Sequence, residues 1–157
     1  MASDFGELID ALGAALETEL TIASDGIAEV IVGPRAICLQ AVANGTQLRL
    51  FTTVESPFTA AHEALDAQTL ARALQRNLFA QATAGHVIGL FDQTLILSIE
   101  YPLETLDAAA LADRLLVIAR VADETAEALF PAASAAPAAA ASAPGEPAPE
   151  MLAFLRA

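Results

Sequence analysis

The dipeptide Asn44-Gly45 constrains the fold of this chain more than any other feature of its sequence. A two-residue hairpin turn needs positive φ at both central positions, which Asn-Gly tolerates best, and apolar residues alternate on both sides of the pair. A turn of this length predicts that Leu39 faces Leu50 on one side of a sheet. On the other side Cys38 then faces Phe51. The fold must therefore contain an antiparallel sheet.

Two segments before this hairpin predict a helix and a first strand. Apolar residues recur at helical spacing from Phe5 to Leu16, and Ser3 is the expected N-cap. The run IAEVIV at residues 27–32 is short and β-branched, and Gly33-Pro34 follows it, which is typical of a strand that ends in a turn. We therefore expect a helix followed by three strands.

The segment after the first hairpin predicts a second helix, a second hairpin and a third helix. Asp66 is a suitable N-cap for a helix that carries Leu70, Leu74 and Leu78 one turn apart. The run VIGLFDQTLILSIEYP alternates apolar and polar residues in its return half, as a strand with one buried face does. The third helix begins at the N-cap Asp107 and carries an apolar stripe of Leu111, Leu115, Ile118, Ala122, Thr125 and Leu129.

Together these elements predict an α+β fold, with an antiparallel sheet of about five strands and three helices in the order α-β-β-β-α-β-β-α. A chain of 157 residues favours one domain, which we place at residues 1–130. Residues 131–149 are almost wholly Ala, Pro, Ser and Gly and are predicted to be a linker. Residues 150–157 form a short amphipathic segment that needs a surface to dock on.

The charge of the chain argues against several classes of partner. The formal net charge is −13, from 20 acidic residues against seven basic ones. Because affinity for nucleic acid comes mostly from basic side chains that neutralise phosphates, no nucleic acid is expected as a partner. The amino terminus is acidic where a signal peptide is basic, and no apolar run is long enough to span a bilayer, so no membrane insertion is expected. The single cysteine, Cys38, indicates a reducing compartment such as the cytoplasm.

Few groups in the sequence could carry chemistry. His62 and His86 lie in different segments, and neither has a second ligand at metal-binding spacing. Cys38 could act as a nucleophile with either histidine as its base, although its place in an alternating strand favours a small packed side chain. We therefore expect no catalytic residue, no metal and no cofactor. A cysteine-dependent hydrolase is the enzyme alternative.

Apolar residues exceed what one core obviously needs. Val42, Phe51 and Ile96 fall on the second faces of the two predicted hairpins, and the third helix is apolar over more than one face. Large exposed apolar patches usually mark a binding partner. The competing interpretation is that these residues are scattered over the surface or covered by the tail.

Three segments of the chain carry a family resemblance. They are FGELIDALGAAL, LARALQRNLFAQATAGHVIGLFDQTLILSIEYPLETLD, and the closing helix from Ala108, which together span Phe5 to about Leu129. Their order and spacing, with the acidity, resemble the class I type III secretion chaperones, the Tir-chaperone or CesT-like family. The resemblance implies a cytoplasmic bacterial protein that binds the amino-terminal region of secreted effectors. It would keep that region extended and competent for export, and escort it to the secretion apparatus.

The resemblance also implies partners and contact residues. It implies a homodimer whose interface contains Leu70, Leu74, Leu78 and Val87. An effector segment would add a strand to a sheet edge and fill apolar patches, with client-binding candidates at Phe5, Ile9, Val30, Val32 and Phe51. The secretion ATPase and other export components are further expected partners.

The chain departs from the family pattern in two ways. Many relatives have a tryptophan in the closing helix, and this chain has none. The linker and the amphipathic end are additions to the minimal domain. A broad-specificity chaperone is compatible with these features, since contacts that are mostly apolar or made by the backbone discriminate poorly between clients. The alternative function is a regulatory or sensory module of the same fold that takes no part in export.

Overall fold

The structure, a computed structural model, describes residues 4–56, 65–78 and 83–131. Within these ranges three helices and five strands follow one another in the predicted order, so the fold class is confirmed. The elements are α1 (Phe5–Ala15), β1 (Ile27–Val32), β2 (Arg35–Val42), β3 (Gln47–Val54), α2 (Ala67–Leu78), β4 (Val87–Phe91), β5 (Thr94–Pro102) and α3 (Ala108–Leu129).

The five strands form one antiparallel sheet in the order β1-β2-β3-β5-β4. Strands β1 and β4 are therefore its two edges. The predicted register of the first hairpin is confirmed, because Leu39 pairs with Leu50 and Cys38 pairs with Phe51. This register places every second side chain of β2 and β3 on the buried face, as the apolar alternation requires.

The turn of the first hairpin has the predicted positive φ at its two central residues. The φ angles of Asn44 and Gly45 are 56° and 81°. The left-handed stretch begins one residue earlier than predicted, at Ala43, whose φ is 51°. The carbonyl oxygen of Ala43 accepts hydrogen bonds from the amide and the hydroxyl of Thr46, at 3.3 and 2.8 Å. These two bonds offset part of the cost of holding an alanine in that region.

The core lies between one face of the sheet and the helices α1 and α3. Helix α3 packs on β3, and α1 packs on α3. All six residues of the predicted α3 stripe are buried, which confirms it. The sheet contributes the buried side chains of Ala28, Val30, Ile37, Leu39, Leu48, Leu50, Leu95 and Leu97. We call the opposite face of the sheet its outer face.

Aspartates cap the helices, as the sequence predicts for two of the three. The carboxylate of Asp107 accepts a hydrogen bond from the Ala110 amide at 2.8 Å, and that of Asp66 accepts one from Thr69 at 2.6 Å. The predicted cap of α1 needs correction, because Asp4 is the N-cap: its extended backbone lets its carboxylate accept from the Gly6 amide at 3.2 Å. Each cap satisfies a helix amide that has no partner within its helix.

Several predictions concern residues outside the described ranges. These are Ser3, His62, the segment at residues 150–157, and the linker at 131–149 apart from Pro131. The domain boundaries therefore remain predictions. Among the helices of the described residues, none combines the length and the apolar character that a bilayer crossing requires.

Candidate functional site

Two of the three leucines in the α2 stripe face away from the core. Leu74 is 69% exposed and Leu78 is 77% exposed, whereas Leu70 is partly buried against the core. The buried residues of this helix are Thr69 and Ala73. Helix α2 therefore packs on the domain through small side chains and presents large apolar ones outward, which is the opposite of an ordinary surface helix.

Edge strand β4, which packs beside α2, also exposes apolar side chains. Its residues Val87, Leu90 and Phe91 are all exposed. The side-chain amide of Asn77 joins α2 to β4 through two hydrogen bonds with the backbone of Ile88, at 2.7 and 2.8 Å. We call the exposed apolar residues of the two elements the α2–β4 patch, which consists of Leu74, Leu78, Val87, Leu90 and Phe91. A patch of this kind on adjoining elements is typical of a protein-binding surface.

The outer face of the sheet carries an open groove with a volume of about 930 Å³. Its apolar lining comes from four strands and includes Ile27, Phe51, Val87, Phe91, Ile96 and Ile99. Its polar lining includes Arg49 and Glu100, which are cross-strand partners and form an ion pair at 2.6 Å. Since both charged side chains are nearly half exposed, this pair contributes little to stability. It gives the groove one polar end beside an apolar floor.

The outward-facing backbone groups of edge strand β1 have hydrogen-bond partners at the start of the strand, whereas its far end is exposed. The outward carbonyl of Ile27 accepts from the Ala23 amide at 2.8 Å, and the Ile27 amide donates to Asp25 at 3.1 Å. Further along, Ile31 is 64% exposed. Within the described ranges the only pairing on this edge is the single bridge between Ile22 and Ala28. The second half of β1 is therefore open to another extended segment.

The predicted client-binding residues are divided between the surface and the core. Ile9 and Val30 are buried core residues, so their side chains cannot reach a partner unless the core opens. Phe5 and Val32 are half-buried and pack against the core from its margin. Phe51 is half-buried and lines the outer groove. The structure thus brings Phe51 together with the predicted interface residue Val87 in one groove, and separates both from Ile9.

The sequence analysis missed several residues of these surfaces. Val87, Gly89 and Phe91 occupy alternate positions of β4. Strand alternation alone would therefore have placed the Phe91 side chain on the same face as that of Val87. Leu90 points to the other face of the same strand and is exposed because β4 is an edge. Strand alternation places Ile31 on the same face as the acidic Glu29, a signal of exposure that was not used in the prediction.

The candidate chemical groups are poorly suited to catalysis. Burial raises the pKa of the Cys38 thiol, with smaller contributions from Glu29 and Asp25, so the thiolate is disfavoured. His86 is buried, and its Nδ1 lies 2.7 Å from the Thr83 carbonyl oxygen. Burial lowers the pKa of His86 and keeps the imidazole neutral. Among the described residues, no cluster of His, Cys, Asp or Glu could hold a metal ion.

Comparison with known protein families identifies one family. The model of the Tir chaperone protein (CesT) family matches residues 7–125. No curated protein matches the chain in sequence.

Solved structures share the fold. The HopA1–SchA chaperone–effector complex matches with a TM-score of 0.60 and 22% identity, over 78% of this chain and 93% of that chain. The ExsC–ExsE complex matches with a TM-score of 0.67 and 14% identity, over 83% of this chain and 99% of that one. The ExoT–SpcS complex from Pseudomonas aeruginosa matches with a TM-score of 0.52 and 24% identity, over 74% and 92%. At these identities the matches establish the fold alone.

Proposed function

Because the chain belongs to the Tir chaperone protein (CesT) family, we propose that it is a type III secretion chaperone that binds the amino-terminal region of effector proteins before their export. The observation that carries this proposal is the family match over residues 7–125, which runs from α1 into α3. The solved structures with this fold include complexes whose names pair a chaperone with an effector. We call the bound effector segment the client.

Strand addition at the β1 edge is the first proposed mode of client binding. The exposed half of β1 offers backbone donors and acceptors next to the side chain of Ile31. Hydrogen bonds between backbones demand little of the client's sequence, so an extended segment of almost any composition can use them. Of the predicted β1 residues, Val32 at the margin of the core is the better placed for contact, since Val30 is buried.

The outer groove is the second proposed contact. Its apolar floor, with Phe51 and Ile96 at the centre, can take the apolar side chains of an extended client. The Arg49 and Glu100 pair at its polar end can bond client backbone or polar groups, because both side chains remain partly exposed. Ordering several residues of a client costs free energy, which binding must offset over an interface of about 1,000 to 3,000 Å².

We propose that two copies associate through the α2–β4 patch. A two-fold interface uses the same surface of both copies, so an exposed leucine stripe is presented twice. Leu74, Leu78 and Val87 are exposed as such an interface requires, and the partly buried Leu70 would lie at its margin. This proposal also accounts for large apolar side chains on the outside of an otherwise acidic domain.

The proposed function needs no catalytic step. The chaperone would hold its client non-globular in the bacterial cytoplasm and deliver it to the export machinery, with the secretion ATPase as the expected receiving component. Family membership and the poor disposition of Cys38 and His86 for catalysis support binding as the whole activity.

A co-purification experiment tests the proposal. The full chain is expressed with amino-terminal fragments of type III effectors and, separately, with folded carboxy-terminal domains of the same effectors. We expect the amino-terminal fragments alone to co-purify, and to remain sensitive to protease beyond the bound segment. Binding of folded domains only would overturn the chaperone assignment and favour the regulatory module.

A further inference from the structure

Neighbouring residues occupy outward-facing backbone groups at the start of edge strand β4. The β4–β5 hairpin closes at the pair Phe91 and Thr94, and Gly89 faces Ile96. Because hydrogen-bonded and non-hydrogen-bonded pairs alternate in an antiparallel ladder, Ile88 and Leu90 turn their amides and carbonyls away from β5. An edge strand presents such groups to any extended chain that approaches it.

Asn77 occupies these groups at Ile88. Its Nδ2 donates to the Ile88 carbonyl oxygen at 2.7 Å, and its Oδ1 accepts from the Ile88 amide at 2.8 Å. A primary amide has one donor and one acceptor side by side, as a residue of a neighbouring strand does. The side chain therefore takes the place of a sixth strand at this position.

Thr83 occupies the preceding outward position in the same way. The His86 amide donates to the Thr83 carbonyl oxygen at 2.9 Å, and the Thr83 hydroxyl donates to the His86 carbonyl oxygen at 2.6 Å. His86 is two residues before Ile88, so the two closures lie on the same edge of β4. Thr83 and His86 are both buried, which shields their bonds from water.

The other edge of the sheet lacks such closure beyond its first half. Bonds to Ala23 and Asp25 satisfy Ile27, whereas the described residues place no strand or capping side chain beside Ile31. The exposed acid Glu29 lies two residues away on the same face of β1.

We propose that Asn77 and Thr83 close the first half of the β4 edge to strand pairing, so that an extended partner is directed to the Glu29–Ile31 end of β1. The preferred partner segment carries an apolar residue and a basic residue two positions apart, because Ile31 and Glu29 lie two residues apart on one face of β1. The closure also lets two copies pack through the α2–β4 patch without joining their sheets into a growing ribbon. The direction of the client rests on the proposed function, while the closure of β4 does not.

The experiment compares full-length variants of α2. Asn77→Ala removes both bonds to Ile88, and Asn77→Asp keeps the shape and the acceptor but loses the donor. Gln75→Ala is the matched control, because Gln75 is an exposed polar residue of the same helix. The readouts are amide hydrogen exchange at Ile88, particle mass by light scattering, and binding of a fluorescein-labelled Thr-Val-Thr-Lys-Thr-Val-Thr peptide, in which Val and Lys stand two residues apart on one face.

We expect Asn77→Ala to speed exchange at Ile88 by about tenfold or more, Asn77→Asp to speed it less, and Gln75→Ala to leave it unchanged. Asn77→Ala should also bind peptide at a second site or form larger particles. Exchange at Ile88 that stays at the wild-type rate in both Asn77 variants overturns the closure.

Ile31→Pro separates the two halves of the proposal. Proline removes the outward amide of Ile31 and is tolerated at an edge strand whose amide faces solvent. Loss of peptide binding in Ile31→Pro, with exchange at Ile88 unchanged, supports addition at β1. Peptide binding that is unaffected by Ile31→Pro, or absent from the wild type, overturns the directed addition and leaves the exchange result to decide the closure.

Discussion

Replacing Leu74 by aspartate tests the α2–β4 patch as the surface through which two copies associate. Leu74 is 69% exposed in the single chain, so a partner copy can still bury most of its side chain. Full burial of a leucine is worth about 1.5 to 3 kcal/mol, and the unburied part corresponds to about 1 to 2 kcal/mol. Because a two-fold interface contains Leu74 from both copies, the substitution should weaken the free energy of dimerisation by about 2 to 4 kcal/mol.

This loss sets the expected change in the dissociation constant. Every 1.4 kcal/mol is a factor of ten, so the constant should rise by about 30-fold to 1,000-fold. A carboxylate held against the apolar partner surface adds to the effect, because a buried unpaired charge is costly. The folded monomer should be unaffected, since Leu74 contributes little to the core.

Sedimentation velocity over a concentration series measures the constant directly. Leu116→Asp is the matched control, because Leu116 is 62% exposed on α3 and lies outside the α2–β4 patch. It makes the same chemical change on a different surface and should leave the constant within about threefold of the wild type. A Leu74→Asp protein that dimerises like the wild type, or a Leu116→Asp protein that is equally impaired, would refute the placement of the interface.

Three further predictions concern single residues. His86 has a folded-state pKa below its usual 6.5, so protonation favours the unfolded chain: stability should be full above pH 6.5 and decline as the pH falls below it. Urea titrations at several pH values should show a weaker decline in His86→Gln, and equal slopes would contradict the assignment. Gly45→Ala should lower the free energy of unfolding by about 1 kcal/mol, because the φ of Gly45 is 81°. Gly6→Ala is the control and should not lower it, because a Cβ at Gly6 in α1 would meet open space. Cys38→Ala should retain client binding, and abolished binding would indicate a role for the thiol. The raised pKa of Cys38 should also make the wild-type thiol react slowly with thiol reagents at neutral pH.

The parts of the fold that were predictable are those in which local geometry and burial agree. The Asn44-Gly45 turn and the alternation around it point to one register, and a slip of one residue would have placed Leu39 and Leu50 on the outer face. The same agreement holds for α3, where the cap at Asp107 and the buried stripe begin together. Consistency of this kind leaves few alternative structures.

The parts that were not predictable depend on what lies opposite a residue. Periodicity groups Leu70, Leu74 and Leu78 on one face of α2, but it does not tell whether that face meets the core or a second copy. The family resemblance had the same limit for Ile9 and Val30, since it indicates an element without specifying which of its faces is exposed. The hydrogen bonds between Asn77 and Ile88 join residues from different elements, so no local pattern reveals them.

The proposed dimer interface and the proposed client groove share residues, and this sharing would couple dimerisation to client binding. Val87 and Phe91 belong to the α2–β4 patch and also line the outer groove. A second copy seated on the patch would therefore bury part of one groove wall or extend it. Either way the affinity for the client would depend on the dimer, and thermodynamic reciprocity would then require the dimer constant to depend on the client by the same factor. Measuring the dimer constant with and without a bound effector fragment determines the sign: tighter dimers with client mean that the second copy completes the groove, and weaker ones mean that it competes for the same two side chains.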